Sequence, residues 1–215
     1  AYYLKNCKTI FTGTPLRDEF YDTHPLPVWV PKGKGPLIIV MGGSQGAKVI
    51  NEILYESLDI LIKLNFRIVH IIGGQNKYKS IKTRSNNYVQ KKFTNEIASL
   101  MQNCDLVISR SGAGTINELI QTGKPSILIP YPNSKNNHQE KNAMILSSIG
   151  GAILINQDRL SKLFFEETLK RIFKFKKGKP KYAILDLMKE NMKNLHPLKP
   201  TNEIKKLINY FLKEF

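Results

Sequence analysis

Residues 36–47 read PLIIVMGGSQGA: an unbroken apolar run, Leu37 to Met41, then Gly42, Gly43, Ser44 and Gly46 before a helical rhythm begins. Such a run suits a strand buried on both faces of a sheet. After it Val49, Ile50, Ile53, Leu54, Leu58 and Leu61 share one stripe, which predicts a helix over about Gln45–Leu64. The pattern recurs at residues 105–118, DLVISRSGAGTINE, where a short apolar strand ends in small residues and a helix over Ala113–Thr122 follows.

Outward from these stretches the alternation continues. RIVHII (67–72), NNYVQ (86–90), PSILIP (125–130) and GAILI (151–155) read as strands. Helical patterns cover about Asn95–Met101 and His138–Ser148. Apolar strands alternating with helices indicate the α/β class, a Rossmann-like, doubly wound parallel sheet flanked by helices. In such sheets ligands bind outside the carboxyl ends of the strands, where both glycine-rich stretches fall.

The flanks differ. KTIFTGTP (8–15) reads as a short strand running into a turn, and HPLPVWVPKGKGP (24–36) as a connector on a larger surface. From Leu160 the chain is expected to be helical and basic, with ten Lys or Arg against two acidic residues between Lys170 and Lys199. It closes with Ile204, Leu207, Ile208, Phe211 and Leu212 at helical spacing, a stripe expected to pack in the core.

A chain of 215 residues with 41% hydrophobic content can bury a substantial core. Its formal charge of +16 comes from 27 lysines against only 6 arginines. Nucleic-acid reading favours arginine forks, so the excess points to a lysine-rich solvated face attracted to an anionic membrane surface, with no nucleic acid as partner. Cys7 and Cys104 form no disulfide framework, and Cys104 reads as a small buried thiol. No apolar run is long enough to span a bilayer, and the first residues lack the plan of a signal peptide.

The glycine loops are neither a magnesium-binding phosphate loop, since no Ser or Thr follows Lys48, nor the G-x-G-x-x-G fingerprint. Glycines at 42 and 43 nevertheless let backbone approach a ligand, and amides of Ser44 to Ala47 at a helix start suit a pyrophosphate. A compact turn with Ser44 as cap is the alternative. In the second loop Ser111 is expected to cap the helix, with Gly112 and Gly114 allowing close approach. Glu118 stands about one turn in, where its carboxylate either accepts hydrogen bonds from a ribose diol or complements the helix dipole. His138 and Gln139 enter the helix after a long polar loop and suit sugar hydroxyls. His24, His70, His138 and His196 lack metal-ligand spacing, and no nucleophile elbow is present, so no metal and no Ser-His-acid triad are expected.

Together TGTPLR, MGGSQGA, SRSGAGTINEL, GKPSILIPYP and HQEKNA, in this order, resemble the C-terminal half of the bacterial MurG transferases, glycosyltransferase family 28 with the GT-B fold. The resemblance implies that residues 1–36 are the end of an N-terminal domain and its linker, 37–195 the UDP-sugar domain, and 196–215 a helix at the domain junction. It places Gly43, Ser44, Gln45 and Gly46 at the diphosphate and sugar, together with Arg17 and Gln139. Glu118 falls on the ribose, Phe93 and Thr94 on the uracil pocket, and Arg110, Ser111, Gly112 and His138 in support. The sequence departs from the family at Gly13, often Asn, and at Thr94, often apolar.

The implied reaction is inverting transfer of N-acetylglucosamine from UDP-N-acetylglucosamine to a lipid-linked muramyl-pentapeptide, with no obligatory metal. The implied place is the cytoplasmic face of the bacterial inner membrane, held peripherally. The family's N-terminal domain, with the candidate catalytic base, has no counterpart in the sequence, so no catalytic residue is expected in this half. Two other readings stand beside it: a non-catalytic UDP-sugar-binding subunit with a separate membrane partner, and a UDP-N-acetylglucosamine 2-epimerase using Glu140 and His138.

Overall fold

The computed structural model describes residues 13–74, 85–176, 179–181, 183–195 and 200–213. Six parallel strands form the central sheet: β1 (Leu37–Met41), β2 (Arg67–Ile71), β3 (Tyr88–Lys91), β4 (Leu106–Ser109), β5 (Ser126–Leu128) and β6 (Ala152–Leu154). Their order is β3-β2-β1-β4-β5-β6. The order reverses between β1 and β4, which lie side by side with Met41 in register with Ser109. This is the switch point at which doubly wound sheets open a crevice, and both glycine-rich loops leave the sheet there.

Every residue of β1 is buried because successive side chains enter opposite cores. Ile38 and Val40 face a cluster containing α1 (Lys48–Lys63), where Ile50, Leu54 and Leu61 are buried, and α5 (Lys162–Ile172), where Phe165 and Leu169 are. Leu37, Ile39 and Met41 face the other cluster, with α2 (Ile97–Asn103), α3 (Ala113–Thr122) and α4 (His138–Ser148). The helix expected from Gln45 begins three residues later, at Lys48. Gly46 N–H donates to Gly43 C=O at 3.0 Å, and this turn takes the chain out of helical conformation.

The segment before the sheet is more than a connector. Phe20 and Val30 are buried in the second core. Asn103 Nδ2 donates to His24 C=O at 2.9 Å, and His24 N–H donates to Gln102 Oε1 at 3.0 Å. The strand expected at residues 8–15 lies mostly outside the described residues, and Cys7 and His196 lie wholly outside them; residues 13–15 are irregular.

The basic region departs from the expected all-helical course. Between α5 and α6 (Ala183–Lys193) the chain forms an antiparallel pair, β7 (Lys174–Lys176) and β8 (Lys179–Lys181). Pro180, with no amide hydrogen, breaks the helical ladder there. The closing stretch does form a helix, α7 (Pro200–Lys213), but the described part of its stripe is not core: Ile204 and Leu207 are half-buried and Ile208 is 51% exposed, while the side chains of Phe211 and Leu212 lie outside what is described. No described helix is long and apolar enough to cross a membrane.

Candidate functional site

Two contiguous cavities line the carboxyl edge of the sheet. The first, about 290 Å³, is walled by Met41, Gly43 and Ser44 after β1, by Lys92, Phe93 and Thr94 after β3, and by Gly112, Thr115 and Glu118 on α3, with Arg17 at its rim. The second, about 610 Å³, shares Gly43, Ser44 and Gly112 with it and continues over Gln45, Gly46 and Lys48 to Tyr131, Gln139 and Gln157. The pair therefore forms an elongated cleft with the glycine loops at its middle.

Gly42 and Gly43 shape that middle differently. A Cβ on Gly42 would stand 2.0 Å from Ala47 N, so backbone fills the space a side chain would need. Gly43 has φ +84° with nothing near its Cβ position, and opens toward the cleft. The first helical hydrogen bond of α1 runs from Asn51 N–H to Ala47 C=O at 3.0 Å. The amides of Lys48, Val49 and Ile50 precede it and so have no intrahelical acceptor, which gives this end of the cleft a positive pole. Ala47 occupies the N-cap position and no side chain caps the helix, so the cap considered for Ser44 is not formed.

In the second loop Gly112 is the N-cap, and no side chain caps α3. Ser111 does not cap the helix as expected: it is buried, and its hydroxyl donates to Gln139 C=O at 2.7 Å, tying the start of α4 to the loop. At Gly112 and Gly114 an added Cβ would meet no protein atom, and neither has a positive φ. Protein packing thus requires glycine at neither, and the free space belongs to the cleft. Gly114→Ala is therefore expected to hold or raise folding stability, by up to about 1 kcal/mol for a helical glycine. A ligand occupying that space should bind about 1–3 kcal/mol more weakly through overpacking. Parallel thermal melts and calorimetric titrations check this, and unchanged affinity would place the ligand elsewhere.

Glu118 sits half-buried in the first cavity, where burial pushes its carboxyl above the ordinary range and the nearby Arg17 charge pulls it back. A carboxylate so placed is a strong hydrogen-bond acceptor on the cavity wall. Thr94 is buried with its backbone beside Phe93, which is 64% exposed at the mouth. Thr94 Oγ1 accepts from Glu96 N–H at 3.1 Å, and Glu96 in turn accepts from Trp29 Nε1 at 2.7 Å, so the loop after β3 is fastened from two sides.

Arg110 is a strut. Its guanidinium donates to Ile129 C=O, Pro130 C=O and Gln157 Oε1 at 3.0, 2.8 and 2.7 Å, joining the loops after β4, β5 and β6. Burial lowers its pKa. Gln139 Oε1 accepts from Tyr131 N–H at 3.0 Å, which fixes the amide in the cleft wall. His138 is exposed, with Nδ1 2.7 Å from Lys135 C=O, and does not line either cavity. Among the described residues no three His, Cys, Asp or Glu side chains gather as a metal site.

The structure thus brings Arg17, Phe93, Thr94 and Glu118 to one cavity and Gln45, Gly46 and Gln139 to the other, with Gly43, Ser44 and Gly112 between. The sequence singled out neither Tyr131 nor Gln157. Both follow the ends of β5 and β6, so the carboxyl-end rule applied to every strand finds them.

Comparison with known proteins bears on these cavities. A transferase of Prochlorococcus marinus subsp. pastoris strain MED4 is 84% identical over 216 residues, covering 100% of this chain and 59% of its own length. It is named UDP-N-acetylglucosamine–N-acetylmuramyl-(pentapeptide) pyrophosphoryl-undecaprenol N-acetylglucosamine transferase. A protein of the same name from Prochlorococcus marinus strain NATL2A is 49% identical over 158 residues, 72% of this chain and 45% of its own length. The chain therefore spans little more than half of such relatives. MurG of Acinetobacter baumannii matches in fold with a TM-score of 0.65 at 22% identity, covering 90% of this chain and 52% of its own. The calicheamicin glycosyltransferase CalG4 matches with 0.65 at 14% identity over 85% of this chain and 45% of its own. These likenesses bear out the expected Rossmann-like half of a GT-B glycosyltransferase. The sequence model of the glycosyltransferase family 28 C-terminal domain matches residues 37–196, and the chain belongs to that family.

Proposed function

We propose that this chain is the donor-binding half of a transferase that moves N-acetylglucosamine from UDP-N-acetylglucosamine to a lipid-linked muramyl-pentapeptide, with inversion and without an obligatory metal. The observation that carries the reading is the cleft at the β1/β4 switch point, with a helix N-terminus at its middle and Glu118 in the adjoining cavity. In this reading Phe93 and Thr94 wall the uracil, and Glu118 accepts hydrogen bonds from the ribose hydroxyls. The loop Gly43–Gly46, the α1 amides and Arg17 face the diphosphate. Gln139 contacts the donor sugar, and Arg110, Ser111, Gly112 and His138 support these loops. Donors fixed in advance around the diphosphate stabilise the charge that develops as UDP departs.

The names of the near relatives, which this chain matches over 45–59% of their own length, support an arrangement in which an N-terminal domain supplies the acceptor side. The chain covers 59% of the MED4 relative, which leaves room for such a domain. The formal charge of +16 and a lipid-linked acceptor support peripheral attachment to the anionic cytoplasmic surface of the bacterial inner membrane.

Residues 1–215 alone are expected to bind UDP and UDP-N-acetylglucosamine and to transfer no sugar until the N-terminal domain is added. A radiolabelled-sugar assay with a lipid-linked muramyl acceptor checks this, and transfer by the chain alone would place the catalytic base in this half. Glu118→Ala is expected to weaken UDP binding by about 1.5–3 kcal/mol, the scale of hydrogen bonds to a charged group. Pyrophosphate binding should change much less. Burial opposes the Glu118 charge, so this variant should fold at least as stably at neutral pH. Equal losses for both ligands in calorimetry would remove Glu118 from the ribose.

A further inference from the structure

Beneath the cleft lies a polar network for which the donor site has so far supplied no use. His70, in the middle of β2, is fully buried, as is Asn51 on the second turn of α1. In register His70 lies between Val40 of β1 and Gln90 of β3. Its Nε2 is 3.0 Å from Asn51 Oδ1, and its Nδ1 is 2.9 Å from the Tyr88 hydroxyl. Asn51 Nδ2 donates to Ile72 C=O at 3.2 Å. That bond turns the Asn51 oxygen toward the ring and puts the imidazole proton on Nε2, while Nδ1 and Gln90 Oε1, the latter 2.8 Å from the Tyr88 hydroxyl, share the single proton of that hydroxyl. Gln90 Oε1 accepts from Tyr55 at 3.2 Å and closes the network. Apolar residues of similar volume would fill this space without desolvating several polar groups.

The network ends on a short segment that touches both ligand loops. Ile72 N–H donates to Lys91 C=O at 3.0 Å and Gly73 N–H to Lys92 C=O at 3.1 Å, holding the start of the loop that carries Phe93 and Thr94. Gly74 N–H donates to Ser44 C=O at 3.1 Å. Gly73 lies flat on Gly46, where a Cβ would come within 2.1 Å of the Gly46 amide nitrogen. Residues 72–74 therefore bridge the glycine loop and the base loop. Asn51 fastens that bridge to the first turns of α1, and His70 holds Asn51 in orientation.

We propose that Asn51 and His70 are positioning residues that set the spacing between the base subsite and the diphosphate subsite of the donor cleft. The inference rests on the donor-site reading above. A ligand spanning both subsites gains from their correct separation, because its second contact is made within the complex already formed. Ligands occupying one subsite are indifferent to it.

The test is ligand-observed NMR and calorimetry on the 215-residue chain with UDP, uridine and inorganic pyrophosphate. His70→Leu is expected to weaken UDP by about tenfold or more, with uridine and pyrophosphate each changed less than about twofold. His70→Gln, which can still accept and donate, should recover most of the UDP affinity. Tyr88→Phe removes the hydroxyl that contacts His70 Nδ1 and Gln90 Oε1 and keeps the ring, so it should show the same pattern more weakly even if His70→Leu fails to fold. Parallel losses for all three ligands in Tyr88→Phe, or UDP affinity unchanged in every variant, would overturn the proposal. Failure of the wild-type chain to bind UDP would instead defeat the donor-site reading itself.

Discussion

Gly73→Ala is expected to lower folding stability by about 3–5 kcal/mol, combining a left-handed backbone at a non-glycine residue with an overpacked contact. Gly73 has φ +87°, and its Cβ would approach backbone atoms of Gly46 and Gln45 to 2.1–2.5 Å. No rotation of a side chain relieves such a contact, so residues 72–74 or the glycine loop must move. UDP binding should be lost with the loop geometry. The neighbouring Gly74→Ala is the control: its nearest contact would be Ser44 O at 3.9 Å, and its backbone is not left-handed. Denaturant unfolding of both variants separates a backbone clash from a general intolerance of side chains. Equal stability of the two would mean that the loops part without cost.

Acidification is expected to act through His70. Burial pulls its pKa down to about 3 from an ordinary value of 6.5, so the native ring stays neutral where the unfolded ring is protonated. The unfolded state thus binds the extra proton between these values, and stability falls as pH drops from about 6.5 toward 3, by roughly 1 kcal/mol per pH unit. Above pH 6.5 both states are neutral and the contribution is constant. Carboxylates also titrate in this range, so the informative quantity is the difference between wild type and His70→Gln in chemical unfolding measured from pH 7 to pH 4. Parallel curves would show that the buried ring is charged in both states or reachable by water. A steeper wild-type decline is the expected result.

Much of the architecture was legible in the residues. The helices at Ala113–Thr122 and His138–Ser148 have the bounds their apolar spacing and flanking small residues indicate. Five strands of the main sheet fall within the runs read as strands, and β3 passes the end of its stretch by one residue, to Lys91. Boundaries failed where turn chemistry outweighed periodicity. The Gly43–Gly46 turn delays α1, and a β-pair interrupts the basic helical region at Pro180. The amphipathic stripe of the last helix was also legible, but its burial was not: Ile208 and Tyr210 stay 51% and 54% exposed. A stripe states that a helix has an apolar face, and leaves open what covers it.

The sequence by itself determined which segments are strands and helices and that two of them end in loops suited to anions, because side-chain periodicity and glycine conformation are local properties. Tertiary structure alone decided that those loops are neighbours, since β4 pairs with β1 and not with β3, which precedes it in sequence. It alone brought Arg17 into the cavity of Glu118, and Trp29 onto Glu96 across 67 residues. It also gave His70 its partners. In sequence His70 is a lone histidine in an apolar strand; only the packing of α1 over β2 and β3 sets Asn51 and Tyr88 against its two nitrogens. Contacts of this kind depend on strand order and helix placement, which are fixed by burial of whole faces and not by any residue's immediate neighbours.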